Sequence, residues 1–128
     1  MSPVVARSTA SLGCLGETLA ARELERQGYA IRARRYRSRF GELDLVAEEG
    51  GVLVFVEVKA RRTARFGGAA ESISAWKRRR IGAMALDYLA WIGRLDARCR
   101  FDVVAIDGLG GPRPAVRVIR DAFALDGR

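Results

Sequence analysis

The chain has 128 residues, room for one compact core and too few for two ordinary domains. With 49% apolar and 30% charged residues it reads as globular rather than disordered, and no apolar run approaches the roughly 20 residues of a membrane helix. The absence of histidine excludes Ser-His-Asp triads, H-E-x-x-H metalloprotease sites and histidine general bases, while the net charge of +8 suits a polyanionic partner, of which nucleic acid is the commonest.

At the N-terminus, Val4-Val5-Ala6 followed by Arg7 is too short for a signal-peptide core, so a cytoplasmic location and a frayed segment over residues 1–8 are expected. The first helix runs from about Ser8 or Ser11 to Gln27 and stops at Gly28. Helical spacing puts Gly13, Glu17, Ala20, Ala21 and Leu24 on one face, with Leu12, Leu15 and Leu19 as a second apolar strip. Glu17 is therefore either a carboxylate at the helix edge paired with an arginine or a functional group on a packed face. Cys14 in this helix and Cys99 far downstream form no C-x-x-C, so neither a disulfide framework nor a zinc site is indicated. Both are expected to be buried, reduced thiols.

Tyr29–Tyr36 reads as a first strand, with Tyr29, Ile31 and Ala33 on one side. Arg32, Arg34, Arg35, Arg37 and Arg39 suit either a solvated edge, where charge blocks aggregation, or a phosphate-contacting rim. Glu42–Glu48 and Val52–Ala60 are the second and third strands. Gly50-Gly51 between them is a hairpin signal, because tight two-residue turns need positive φ. With those two glycines as the turn, Glu49 faces Val52, Asp44 faces Glu57 and Glu42 faces Lys59, all four of the latter on one face of the sheet. Val52, Val54, Val56 and Val58 take the opposite face, and Leu53 with Phe55 makes the strand apolar on both sides, as in a doubly covered central strand.

A basic loop with Arg61, Arg62 and Arg65 leads to a second helix over about Ser74–Ile92. Ile73, Lys77, Ile81, Met84, Ala85, Tyr88 and Ile92 share its inward stripe, with Arg78, Arg79 and Arg80 spread around it. Lys77 on that stripe should reach a carboxylate or a ligand, unless its stem snorkels to solvent. Only Lys59 and Lys77 are lysines among 23 basic residues, a bias that keeps a compact ammonium where a guanidinium would not serve. Arg100–Ile106 is a fourth strand, a Gly/Pro-rich loop follows, and Ala115–Arg120 is a short fifth strand before a tail, 121–128, expected to fray.

Like charges directly opposite on a hairpin repel, so the Asp44/Glu57 pair requires a compensating cation: a divalent metal, Lys59 or an arginine. A register shifted by one residue would remove the pair.

Gly41-Glu42-Leu43-Asp44 followed by Phe55-Val56-Glu57-Val58-Lys59 resembles the D…E-x-K signature of the PD-(D/E)xK nuclease superfamily. Together with Gly16-Glu17, Gly28-Tyr29, Lys77 and Arg100-Phe101-Asp102-Val103-Val104, the order is similar to that of the YraN-like family of small nuclease-like bacterial proteins, over nearly the whole chain. Leu43 stands where the superfamily often has proline, and Arg35 where asparagine is expected. The resemblance implies one nuclease-like α/β domain over 1–128. Its α-β-β-β-α-β restriction-endonuclease-like core would have a mixed central sheet flanked by helices, plus the short C-terminal strand. It implies Asp44, Glu57 and the Val58 carbonyl as ligands of Mg²⁺ or Mn²⁺, with Lys59 completing the catalytic set. Glu17, Glu42 and Lys77 would support that set, and Arg35, Arg37, Arg39, Arg61, Arg62, Arg65 and Arg78 would contact nucleic acid. The activity implied is metal-dependent hydrolysis of nucleic-acid phosphodiesters, on branched or single-stranded DNA. The alternative is a nucleic-acid-binding module of the same fold without nuclease activity. By the same analogy a homodimer is expected, and no membrane partner.

Overall fold

The central hairpin is set by its turn. Gly50 and Gly51 have φ of 59° and 82°, a left-handed backbone that costs glycine nothing. Glu49 pairs with Val52 across them, and the register continues through Ala47↔Val54 to Leu45↔Val56, as the turn chemistry dictates.

The computed structural model describes residues 9–63 and 73–125, and side chains from residue 13 onward within the first helix. The elements are α1 (Thr9–Arg26), β1 (Ala30–Ser38), β2 (Gly41–Glu49), β3 (Val52–Ala60), α2 (Ala75–Ile92), β4 (Cys99–Asp107) and β5 (Ala115–Ile119). The five strands lie in sequence order in one sheet. β3 and β4 are parallel, joined through α2, and every other pairing is antiparallel. This is the expected α/β architecture, a mixed central sheet flanked by helices in the order α-β-β-β-α-β with an extra C-terminal strand. Among the described residues no helix is long and apolar enough to cross a membrane.

The two helices cover opposite faces. Ala20 and Leu24 of α1 pack with Leu45, Val54, Val56, Val104 and Ile106. Ile81, Met84, Ala85 and Tyr88 of α2 pack with Leu43, Val46, Leu53, Phe55 and Phe101. Odd residues of β3 thus face α2 and even residues face α1, which is why the strand is apolar on both sides. Ser74 caps α2 by accepting the Lys77 backbone N–H, and Gly93 ends the helix in the left-handed conformation.

Three expectations are corrected. Tyr29, Ile31 and Ala33 do not share a side, because pairing slips between Ile31↔Ala47 and Ala33↔Val46. The bulge at Arg32 sends Ile31 to the α1 core and Ala33 to the α2 core. Both cysteines are free and exposed rather than buried. The tail docks instead of fraying through 121–125: Ala122 N–H donates to the Phe101 carbonyl, and the Phe123 ring stacks on Phe101 at 5.2 Å. Residues 1–8 and 126–128 lie outside the described residues.

Candidate functional site

β2 and β3 separate after Leu45↔Val56. β2 stays with β1 as far as Gly41↔Ser38, while β3 stays with β4 as far as Ala60↔Ile106. The sheet therefore forks, and the strand ends on either side of the fork carry Asp44 and Glu57. Asp44 Oδ2 accepts the Val58 backbone N–H at 2.7 Å, replacing a main-chain ladder bond with a side-chain one. Neither the expected Asp44–Glu57 rung nor the expected Glu42–Lys59 rung belongs to the ladder, which ends at Leu45↔Val56. Glu42 instead pairs with Arg37 across β1 and β2, at 3.1 Å.

The Asp44 carboxyl is pushed up to about 7, first by burial and then by the charge of Glu57. Glu17 adds to the rise, whereas the Val58 N–H and the Lys77 ammonium oppose it. Glu57 faces α2, as its place in the odd series of β3 requires, and the Lys77 ammonium lies 3.1 Å from its Oε2. Lys77 thus reaches a carboxylate, one of the two outcomes its inward position allowed. Lys59, in the same series, lines an open cleft of about 270 Å³ with Glu57, Ile73, Ser74 and Lys77.

Glu17, only 9% exposed, comes from the opposite side of the sheet. Arg35 Nε donates to it at 2.6 Å. Arg35 has φ of 54°, and this left-handed step breaks strand alternation so that the guanidinium reaches α1 while Tyr36 still packs against α2. Helices on both faces of the sheet therefore contribute one carboxylate or one ammonium to the fork.

The other candidate cations divide. Arg37 is held by Glu42, and Arg78 donates to the Ile73 carbonyl and lies over the Phe123 ring. Arg39 lies over the Phe40 ring, and Arg62 is exposed. Arg61 is fixed through its backbone between Ile106 and Leu109. Arg65 lies outside the described residues.

Sequence reasoning missed a second polar cluster. Asp102, with no exposed surface, accepts from the Tyr29 hydroxyl at 2.7 Å, from Arg100 Nε at 2.9 Å and from the Asp121 N–H at 2.9 Å. Arg100 and Arg120 both reach Glu49. Burial and the Asp102 bond raise the Tyr29 phenol to about 12, which keeps it a donor. Arg100-Phe101-Asp102 stood out as a motif, but its partners are remote in sequence.

The donor set at the fork suits a hard divalent cation: two carboxylates on facing strands and the main chain of Val58 between Glu57 and Lys59. A cation there would offset the burial, and then the repulsion from Glu57, that together raise the Asp44 carboxyl. Among the described residues no group of three or more His, Cys, Asp or Glu side chains is gathered as a ligand shell, so a backbone oxygen would have to be the third protein donor.

The model of Uncharacterised protein family UPF0102 matches residues 16–106, which include every residue of the fork. A UPF0102 protein of Rhodococcus jostii (strain RHA1) is 50% identical over 113 residues, covering 88% of this chain and 96% of that protein. Another, from Symbiobacterium thermophilum, is 47% identical over 112 residues, covering 88% of this chain and 95% of its own length. A third, from Geobacter sulfurreducens, is 47% identical over 114 residues and 89% of each chain. Among solved structures, that of Pyrococcus furiosus SfsA in complex with Ca²⁺ aligns with 92% of this chain and 66% of its own, at 16% identity and a TM-score of 0.43.

Proposed function

The chain belongs to the UPF0102, or YraN-like, family, and on that premise we propose that it is a metal-dependent hydrolase of nucleic-acid phosphodiesters, with DNA as the favoured substrate. The observation that carries this reading is the Asp44 carboxyl, forced toward neutrality beside Glu57 at the point where two strands part. Carboxylates placed against each other in this way are costly to a fold and useful to a cation.

Asp44, Glu57 and the Val58 carbonyl would hold Mg²⁺ or Mn²⁺. Bound there, the ion would polarise a phosphoryl oxygen and acidify a water. The chain supplies the rest. Lys77 keeps Glu57 oriented toward the cleft through its 3.1 Å contact. Lys59, on the same cleft wall, offers its ammonium to charge developing on phosphorus. Arg35 holds Glu17 and so fixes the negative potential behind Asp44. The exposed Arg39 and Arg62 have no carboxylate partner in the described contacts and would meet backbone phosphates. A cytoplasmic location would suit these exposed thiols and this substrate.

The test is incubation of the purified protein with single-stranded and branched DNA in Mg²⁺ or Mn²⁺. Glu57→Ala should reduce cleavage by roughly a thousandfold or more, the scale of removing a group the transition state needs. Cleavage undiminished in that variant would remove the reading. The second reading, a binding module without turnover, is favoured by one observation: the Lys77 ammonium lies 3.1 Å from Glu57 and so can itself neutralise that carboxylate. Tight DNA binding in EDTA, with no heat from a Mg²⁺ titration, would select it.

A further inference from the structure

Two large rings near the fork remain in solvent, Trp76 with 59% and Phe40 with 38% of their surface exposed. They come from different elements, Trp76 from the first turn of α2 and Phe40 from the turn between β1 and β2. Arg80 ties them together. Its Nε donates to the Phe40 carbonyl at 2.5 Å, and its guanidinium carbon lies 5.1 Å from the centre of the Trp76 ring. Arg39 lies 5.0 Å over the Phe40 ring. Gly41 permits this approach, since a Cβ there would fall 2.9 Å from Arg80 Nη2. Trp76 immediately precedes Lys77, whose ammonium is on Glu57, so the aromatic pair begins one residue from the fork.

We propose that Phe40 and Trp76 form a stacking platform for unpaired bases of a single-stranded nucleic acid, with Arg39 and Arg80 meeting its phosphates, and so set the substrate class of the fork. The proposal rests on nucleic acid being the ligand. A duplex hides its base faces in its own stack and offers mainly phosphates, whereas a single strand presents both. Rings flanked by guanidinium groups match that alternation of flat apolar faces and negative charge. A second copy of this chain is a poor occupant, because a net charge of +8 repels itself.

The test uses the full chain in EDTA, where metal-dependent cleavage is silent. In a Trp91→Phe background Trp76 is the sole tryptophan, and its emission is followed on titration with a short oligo-dT strand and with a blunt duplex of equal length. The strand should quench Trp76 and the duplex should not. In anisotropy measurements Trp76→Ala and Phe40→Ala should each weaken strand binding by about tenfold, leave duplex binding within about twofold, and Trp76→Phe should recover most of the loss. Equal losses on strand and duplex, or none on either, would overturn the platform. Emission that follows protein concentration alone would also overturn it and assign the face to a second copy. Failure here with Glu57-dependent cleavage intact removes the platform alone; absence of any nucleic-acid binding removes the platform and the nuclease reading together.

Discussion

In the cluster that Glu49 joins from the end of β2, Asp102 is fully buried and surrounded by donors: a phenol, a guanidinium and a backbone N–H. At the forked end, Asp44 lies five residues along β2 from Glu49, roughly 16 Å away. It receives one backbone N–H and faces the charges of Glu57 and Glu17. The first cluster ties the α1–β1 connection, the end of β2, β4 and the tail together through paired groups. The second is left unbalanced although arginine is abundant in the chain. A carboxylate can be satisfied in this fold, and the proposed cation would do for the fork what the donors do for Asp102.

The same isosteric change should therefore have opposite effects at the two ends. Asp102→Asn leaves Arg100 buried against a neutral amide, and stability should fall by about 3 kcal/mol or more, read as a lower urea midpoint. A change within about 0.5 kcal/mol would break the contrast. Asp44→Asn keeps an oxygen to accept the Val58 N–H while removing the repulsion, so at pH 8 it should stabilise by about 1 kcal/mol. That gain should depend on pH. The Asp44 carboxyl is raised above its unfolded value of 3.8 to about 7, so the stability held by its neutral form is fully present below about pH 4 and is lost as pH rises through 7. The asparagine variant should show no gain at pH 4 and its full gain at pH 8, measured by denaturation at both. Arg120→Ala should cost least, about 0.5 kcal/mol by the same denaturation, because Arg120 is 47% exposed and Arg100 still reaches Glu49.

Local chemistry made some of this legible and long-range geometry hid the rest. Gly50-Gly51 set the β2–β3 register as far as Leu45↔Val56, because a two-residue turn leaves no freedom in pairing, but the Asp44↔Glu57 rung counted next is not in the ladder, and Asp44 meets β3 through the Val58 N–H instead. Ser74 marked the start of α2, and the apolar stripe put Lys77 inward. The family resemblance holds across the chain. The bulge at Arg32 and the left-handed Arg35 were not legible, since nothing in an arginine-rich strand announces where alternation breaks. They decide that Arg35 reaches Glu17 instead of standing on a phosphate-facing rim. Glu42 was misplaced because strand counting assumes that pairing continues, whereas the sheet forks. The Asp102 cluster joins residues 73 positions apart, a separation that no local pattern encodes. The docked tail depends on Phe123 finding Phe101, and its short length gave no periodic signal.

The most direct measurement is a calorimetric titration of Mn²⁺ at pH 7.5 into the unmodified chain and into Asp44→Asn and Glu57→Gln. One site should appear, with heat that varies between buffers as Asp44 gives up its proton, and both substitutions should abolish it. Equal binding in all three proteins, or no binding in the unmodified one, would contradict a cation shared by these two carboxylates.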